Sequence, residues 1–295
     1  MPTQVEAAPR RPAKGVRDVQ GHRGGGRLAP ENTIPGFLAG VEAGLTGFEL
    51  DTRLTADGQV VVWHDKTLRP DKCIPTDPAL LGARLDHLTM AELRTVDVGS
   101  LARPDLPDQR VLPGTRMSTL TEVLDACAEP AARAWWTIEI KVDPRDEREV
   151  GNRELLVDSV LAAIHDAGIE ERCYVHSFDW AVLELARELD PALRRSALAI
   201  DGLTYAPNSA WLGSVRWEEH GADLPSAAAA AGAQVVSPHH TSVDELLVDR
   251  AHELGLGVLP WTVNDPSDLL RMKDVGVDGV VTDFPVRAVQ LLKDA

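Results

Sequence analysis

The chain has 295 residues, of which 44% are hydrophobic, and Lys+Arg 30 against Asp+Glu 46 gives it a formal net charge of -16. That length fits one large α/β domain, since barrels commonly run to about 250 residues with insertions beyond that. The acidic balance opposes binding to nucleic acid or to an anionic membrane surface, so an anionic ligand has to be drawn in by local positive groups.

Residues 1–17 are polar and rich in Ala, Pro and Arg, which predicts a flexible N-terminal arm ahead of one domain spanning 18–295. They contain no apolar signal core, and no stretch of the chain approaches about 18 consecutive apolar residues, so the expectation is a cytoplasmic protein without membrane insertion. A short strand through Val19 leads into GHRGGGRLAPENT, where the glycines permit close backbone approach and Asn32 or Thr33 can cap a helix over Ile34 to Gly44. In FELDTRLTADGQVVVWHD, Phe48 and Leu50 alternate with Glu49 and Asp51, the period of a strand with one apolar face. Thr55 to Gly58 then reads as a tight turn, and VVVW returns as a second strand ending at His64-Asp65.

Lys66 to Gly114 holds Pro-bearing turns around one helical segment, Thr89 to Val96, and reads as a small insertion on the loop face. Helix Ser118 to Ala128 follows. From there strands and helices alternate regularly. Strands are expected at Trp135 to Lys141, Cys173 to Ser177, Ser196 to Ile200, Gln234 to Ser237, Gly257 to Trp261 and Gly279 to Thr282. Helices are expected at Arg153 to Ala167, Trp180 to Leu189, Pro225 to Ala231, Val243 to Leu254, Ser267 to Val275 and Pro285 to Lys293, with an irregular aromatic loop over Asp201 to Leu224. Eight strand and helix units predict an α/β fold of the (β/α)8 barrel type, with its site at the C-terminal ends of the strands.

The polar residues at those ends suggest a chemistry. Glu49 and Asp51 project to one side of their strand, with backbones about 6.6 Å apart. In WWTIEIK, Glu139 and Lys141 alternate with isoleucines and point into the barrel. Three carboxylates on adjacent strands make an all-oxygen set suited to one hard divalent cation, Mg2+ or Ca2+, rather than zinc. The alternative for them is a buried salt-bridge network. His22 and His64 follow two of the strands; either can be a surface or capping residue, but as a pair they offer the base and the acid that cleaving a phosphodiester needs. Arg23 and Lys141 offer positive charge for phosphoryl oxygens. Asp65 can orient His64 or serve equally as a turn residue.

His87, His165, His220 and His252 read as solvated, and His176 with His239-His240 as bordering the mouth. Phe178, Trp211, Trp217 and Trp261 are core residues by default or an apolar wall of the site. Cys73, Cys127 and Cys173, odd in number and widely spaced, read as ordinary thiols.

The ordered set GHRGGGRLAPENT, FELDTRLTADGQVVVWHD, TIEIK, SFD, WTVN and GVDGVVTDFP resembles the glycerophosphodiester phosphodiesterase family over about Val19 to Phe284. The resemblance implies a TIM barrel that hydrolyses glycerophosphodiesters to sn-glycerol 3-phosphate and an alcohol with a divalent cation, and it makes Lys66 to Gly114 the family's small insertion between the second strand and its helix. Carried over by position, it implies His22 and His64 as acid/base pair, Glu49, Asp51 and Glu139 as metal ligands, Arg23 and Lys141 as phosphate contacts, and Phe178 and Trp261 as shaping the substrate pocket. It also implies attack by the neighbouring glycerol hydroxyl, giving a cyclic phosphate that water opens. A second reading is a phospholipase D-like lyase acting on lysophospholipids or sphingomyelin; a third, of another class, is a non-catalytic phosphoester-binding barrel.

Overall fold

Apolar alternation decides the layering. In the computed structural model, which describes residues 18–104 and 106–293, one set of alternating strand positions is apolar and meets the surrounding helices, and the other set lines the lumen. The expected N-terminal arm lies outside the described residues. The strands are β1 Asp18–Gly21, β2 Gly47–Leu54, β3 Val60–Val62, β4 Ile74–Pro75, β5 Val96–Asp97, β6 Trp135–Ile140, β7 Cys173–Ser177, β8 Arg194–Ala199, β9 Val235–Pro238, β10 Gly257–Val258 and β11 Gly279–Thr282.

Parallel pairing runs from β10 through β9, β8, β7, β6, β2 and β1 to β11, and β3 folds back antiparallel on β2. The remaining seam is closed by Asp278 N–H to Val258 O (3.1 Å), Val281 N–H to Pro260 O (2.9 Å) and Val263 N–H to Val281 O (2.9 Å). The result is a (β/α)8 barrel. The strand expected to run to Trp261 is regular only over β10, because Pro260 has no N–H to donate; its extended path continues nonetheless, with Trp261 N–H bonded to Pro238 O at 3.2 Å.

Between strands and helices lies one apolar layer that includes Leu50, Ile138, Ile140, Val157, Val160 and Val175, all fully buried. Val235, Leu259 and Val281 fill the lumen below the polar residues, with Tyr174 and Trp261 against them. The first helix, Ile34–Glu42, is capped by Thr33, whose Oγ accepts from Gly36 N–H at 3.2 Å. It stops two residues short of Gly44, whose φ of 78° is left-handed.

Between β3 and the helix Leu120–Cys127, the chain makes an excursion around its own apolar cluster, which includes Leu68, Leu85, Leu93 and Met117 together with Val61 and Trp63. Its expected helix is confined to Met90–Leu93, since Val96 and Asp97 pair with Ile74 and Pro75 instead. The segment expected to be an irregular aromatic loop carries a helical turn, Trp217–His220. Among the described residues no helix is long and apolar enough to cross a membrane.

Candidate active site

Register builds the centre of the site. In the β2–β6 ladder Asp51 stands opposite Glu139, so their carboxylates lie side by side on inward-facing positions. Glu49, one inward step earlier on β2, joins them: ligand atoms of Glu49, Asp51 and Glu139 all lie within 4.8 Å of one another, and all three residues are buried. Lys141 follows on the same face of the chain after β6. Its Nζ lies 2.8 Å from Glu139 Oε1 and 3.0 Å from Asp51 Oδ1.

The turn after β1 supplies the next groups. Arg23 has φ 54°, a left-handed conformation that costs energy in a residue with a Cβ and concentrates at functional sites. The turn aims the Arg23 N–H at Glu49 Oε2 (2.9 Å), and the guanidinium reaches Glu31 Oε1 at 3.0 Å and lies 3.5 Å from Asp51 Oδ2. Asn32 is left-handed too, with φ 56°. Rather than capping the helix, its side chain donates to Asp51 Oδ2 at 2.7 Å.

Each histidine is held by a carboxylate through Nδ1. For His22 it is Asp283 Oδ1 at 2.7 Å, leaving Nε2 turned toward Glu49, 4.0 Å from Oε2. Asp283 is itself fixed: Asn264 Nδ2 donates to its Oδ2 at 2.8 Å and its own N–H donates to Asn264 Oδ1 at 2.9 Å. For His64 it is Asp65 Oδ1 at 3.2 Å. Asp65 binds Lys72 at 2.6 Å, and Lys72 binds Glu31 at 2.7 Å, so the support of His64 connects to Arg23 through charged groups.

Electrostatics separate these groups. Burial first, then the neighbouring Asp51 charge, pushes the Glu49 carboxyl up to about 8. Burial likewise raises Glu139, although Lys141 opposes it. Burial also works against ionisation of Asp51, but Lys141, His64 and Arg23 outweigh it and hold that carboxyl well below the usual range. His64 is lowered to about 4, by burial and then by Lys141 against the pull of Asp51. His22 moves the other way: burial and Arg23 disfavour its proton, yet Asp283 and Glu49 prevail and raise it.

The donor set fits a hard divalent cation. Three buried carboxylates offer oxygen ligands and no cysteine lies among them; burial first and then the Asp51 charge disfavour ionisation of Glu49, a cost that a bound cation would offset. Glu49, Asp51 and Glu139 are the residues that would hold it.

Beyond the end of β7, Phe178 meets Trp261 edge to face at 5.3 Å between ring centroids, and Trp261 Nε1 donates to Ser237 O at 2.9 Å. His176 is buried at the level of Glu139, with Nδ1 2.9 Å from Ser196 Oγ, and burial followed by Lys141 lowers it to about 3. His239 packs on Trp261 at 5.3 Å. The structure also brings in residues that sequence reasoning did not single out: Asp283, Asn264, Glu31 and Lys72. Asp283 belongs to the TDFP run, and only its distance of 261 residues from His22 hides the pairing.

The family model described as "Glycerophosphoryl diester phosphodiesterase family" matches residues 22–287. A glycerophosphodiester phosphodiesterase of Caldanaerobacter subterraneus subsp. tengcongensis is 28% identical over 276 residues, 93% of this chain and 97% of its own. Among solved structures, a Silicibacter pomeroyi protein assigned to the glycerophosphoryl diester phosphodiesterases superposes with TM-score 0.85 at 36% identity, covering 97% of this chain and 95% of that one. An Oleispira antarctica phosphodiesterase, in complex with the product sn-glycerol-3-phosphate, shares the fold with TM-score 0.73 at 21% identity, covering 95% of this chain and 98% of that one.

Proposed function

The chain belongs to the glycerophosphoryl diester phosphodiesterase family, a family of phosphoric diester hydrolases, and from that membership we propose that it converts glycerophosphodiesters to sn-glycerol 3-phosphate and an alcohol at the site of His22, Glu49, Asp51, His64 and Glu139. The observation that carries the reading is the buried cluster of Glu49, Asp51 and Glu139, with a carboxylate-held imidazole beside it.

A bound Mg2+ or Ca2+ would polarise the phosphoryl oxygens and offset the charge that builds on them. Arg23 and Lys141 contribute to the same end. Lys141 has three N–H donors and two carboxylate contacts, which leaves one donor for a phosphate oxygen. Of the two imidazoles, one takes the proton of the glycerol hydroxyl next to the phosphate as that oxygen attacks phosphorus. The other, protonated, gives its proton to the departing alkoxide, and a cyclic glycerol phosphate is left. The imidazoles then exchange roles: the second takes a proton from water as it attacks phosphorus, and the first returns its proton to the ring oxygen that leaves. Asp283 and Asp65 fix the two rings through Nδ1 and favour the charged form each has to assume. Phe178 and Trp261 form an apolar side of the substrate pocket.

The test is release of sn-glycerol 3-phosphate from glycerophosphoglycerol by the intact chain, with and without EDTA. Turnover that is abolished by the chelator and restored by Mg2+ or Ca2+ supports the reading. Full activity in chelator removes the cation from it, and absence of turnover with every glycerophosphodiester leaves a binding barrel.

A further inference from the structure

The rim that carries Phe178 continues outward into a third aromatic side chain. Phe178 lies two residues beyond the Glu139↔His176 pair of the β6–β7 ladder, the position next to Lys141 on the adjoining strand. From there Trp261 stands on one side at 5.3 Å and Trp211 on the other at 6.1 Å, with interplanar angles of 84° and 76°. All three rings are half-buried, so one edge of the wall is open. Trp211 comes from the segment between β8 and β9, where its backbone is anchored. Its N–H donates to Ser209 Oγ at 3.3 Å, Ser209 Oγ donates to Thr204 O at 2.6 Å, and the next residue, Leu212, is buried in the main apolar layer.

This indole carries a cation on one face. The Arg145 guanidinium lies 5.3 Å from the Trp211 ring centroid, on a side chain 67% exposed and tethered by Asp143 at 2.9 Å. An indole is the aromatic side chain that best attracts a positive group, and the attraction is strongest for a poorly hydrated one. Here the ring is presented in an acidic protein, with the Asp143 carboxylate beside the cation it carries.

We propose that Trp211, with Phe178 and Trp261 behind it, forms a subsite for the alcohol portion of the diester that selects a quaternary trimethylammonium group, so that a choline ester is preferred over a neutral glycerol or inositol ester. The inference rests on the phosphodiesterase reading and adds the substrate class to it. Methylation removes the N–H donors that make a primary ammonium prefer water, so a trimethylammonium gives up less hydration on moving onto the π-face, which favours choline over ethanolamine. Arg145 competes for the same ring and is the group a bound headgroup would displace.

The experiment compares kcat/KM for glycerophosphocholine with that for glycerophosphoglycerol in the wild-type chain and in Trp211→Leu, Trp211→Phe and Arg145→Ala. Leucine keeps apolar bulk and removes the π-face, so the ratio is expected to fall about tenfold in Trp211→Leu, through KM, and to be largely kept in Trp211→Phe. Arg145→Ala is expected to raise it. An unchanged ratio in Trp211→Leu overturns the proposal. So does a loss that follows an acyl chain, seen as a larger effect on lysophosphatidylcholine than on glycerophosphocholine. Titration calorimetry with phosphocholine and phosphoethanolamine reads the subsite apart from turnover. Preference for phosphocholine that vanishes in Trp211→Leu supports it even in a chain that turns over no diester, and equal binding of the two by the wild type overturns it.

Discussion

Two clusters of charge stand near the mouth of this barrel, and they are built on opposite principles. At the seam between the excursion and the barrel, Asp146 meets Arg84 at 2.7 Å and Lys66 at 3.0 Å, Glu149 meets Lys66 at 3.1 Å and Arg53 at 3.3 Å, and Asp86 meets Arg84 at 2.6 Å and Arg148 at 3.2 Å. Each of these carboxylates touches at least two cations. The side-chain bonds from Arg84 and Lys66 hold Asp146 well below the usual carboxylate range; Asp86 also falls, although burial opposes it. In the lumen Glu49 and Glu139 move up instead, because burial disfavours their charge more than the nearby positive groups favour it, with Asp51 adding to the rise. The difference separates a cluster whose charges are matched by protein groups from one whose buried carboxylates a cation would stabilise.

The largest effects should come from the lumen. His22→Ala, His64→Ala and Glu139→Gln are each expected to lower kcat for a glycerophosphodiester by about a thousandfold or more while leaving the thermal transition close to wild type, since general acid–base groups contribute about 10²–10⁴ each. Measured turnover that survives in any two of them removes these residues from the chemistry. Adding Mg2+ or Ca2+ to chelator-treated protein should raise Tm, because a ligand bound only by the folded state stabilises it. The same addition should not raise Tm in a chain carrying Glu49→Gln and Glu139→Gln together. If Tm rises equally in that variant, the cation binds elsewhere, for instance at the seam. Phosphorus NMR of the reaction decides between hydrolase and lyase: a transient cyclic phosphate is expected, and a stable one as end product favours the lyase.

A smaller loss, about 10- to 100-fold in kcat, is expected for Asp283→Asn. Asparagine keeps a hydrogen bond to Nδ1 but not the charge that favours the imidazolium. Equal activity of Asp283→Asn and wild type would reduce Asp283 to a packing role. Rescue by Glu, against none by Asn, would point to charge.

Which parts of this arrangement could be read from the chain follows from the distance over which each signal acts. Alternation in FELD and TIEIK put Glu49, Asp51, Glu139 and Lys141 on lumen-facing positions, because a strand fixes side-chain direction residue by residue. The eight-fold repeat was legible for the same reason, and so were helices such as Arg153–Ala167 and Trp180–Leu189. What escaped depends on contacts between distant segments. Asn32 had the chemistry of a cap, and only the position of Asp51 diverts it; Thr33 takes the cap instead. Asp283 and Asn264 reach His22 from the last part of the barrel, and Lys72 reaches Asp65 and Glu31 from the excursion. The helix at Met90–Leu93 is cut short by a strand pair that no local pattern announces.

The smallest expected effect tests the other cluster. Asp146 accepts from Arg84 and Lys66 and also caps the helix Glu147–Gly151 by accepting from the N–H groups of Arg148 and Glu149. Asp146→Ala should therefore lower folding stability by about 1–2 kcal/mol, most of it from the cap because half-exposed ion pairs contribute little, and should leave kcat near wild type. The pH dependence has a definite sign. Asp146 is held below the ordinary carboxylate value in the folded chain, so its contribution is present above about pH 4, the unfolded value, and disappears as pH falls toward the folded one. The gap in denaturant stability between wild type and Asp146→Ala should thus shrink steadily as pH falls below about 4 toward the folded value. A stability gap that persists there would mean that the side chain acts by packing rather than by charge, and a fall in kcat as large as that of Asp283→Asn would join the seam to the active site.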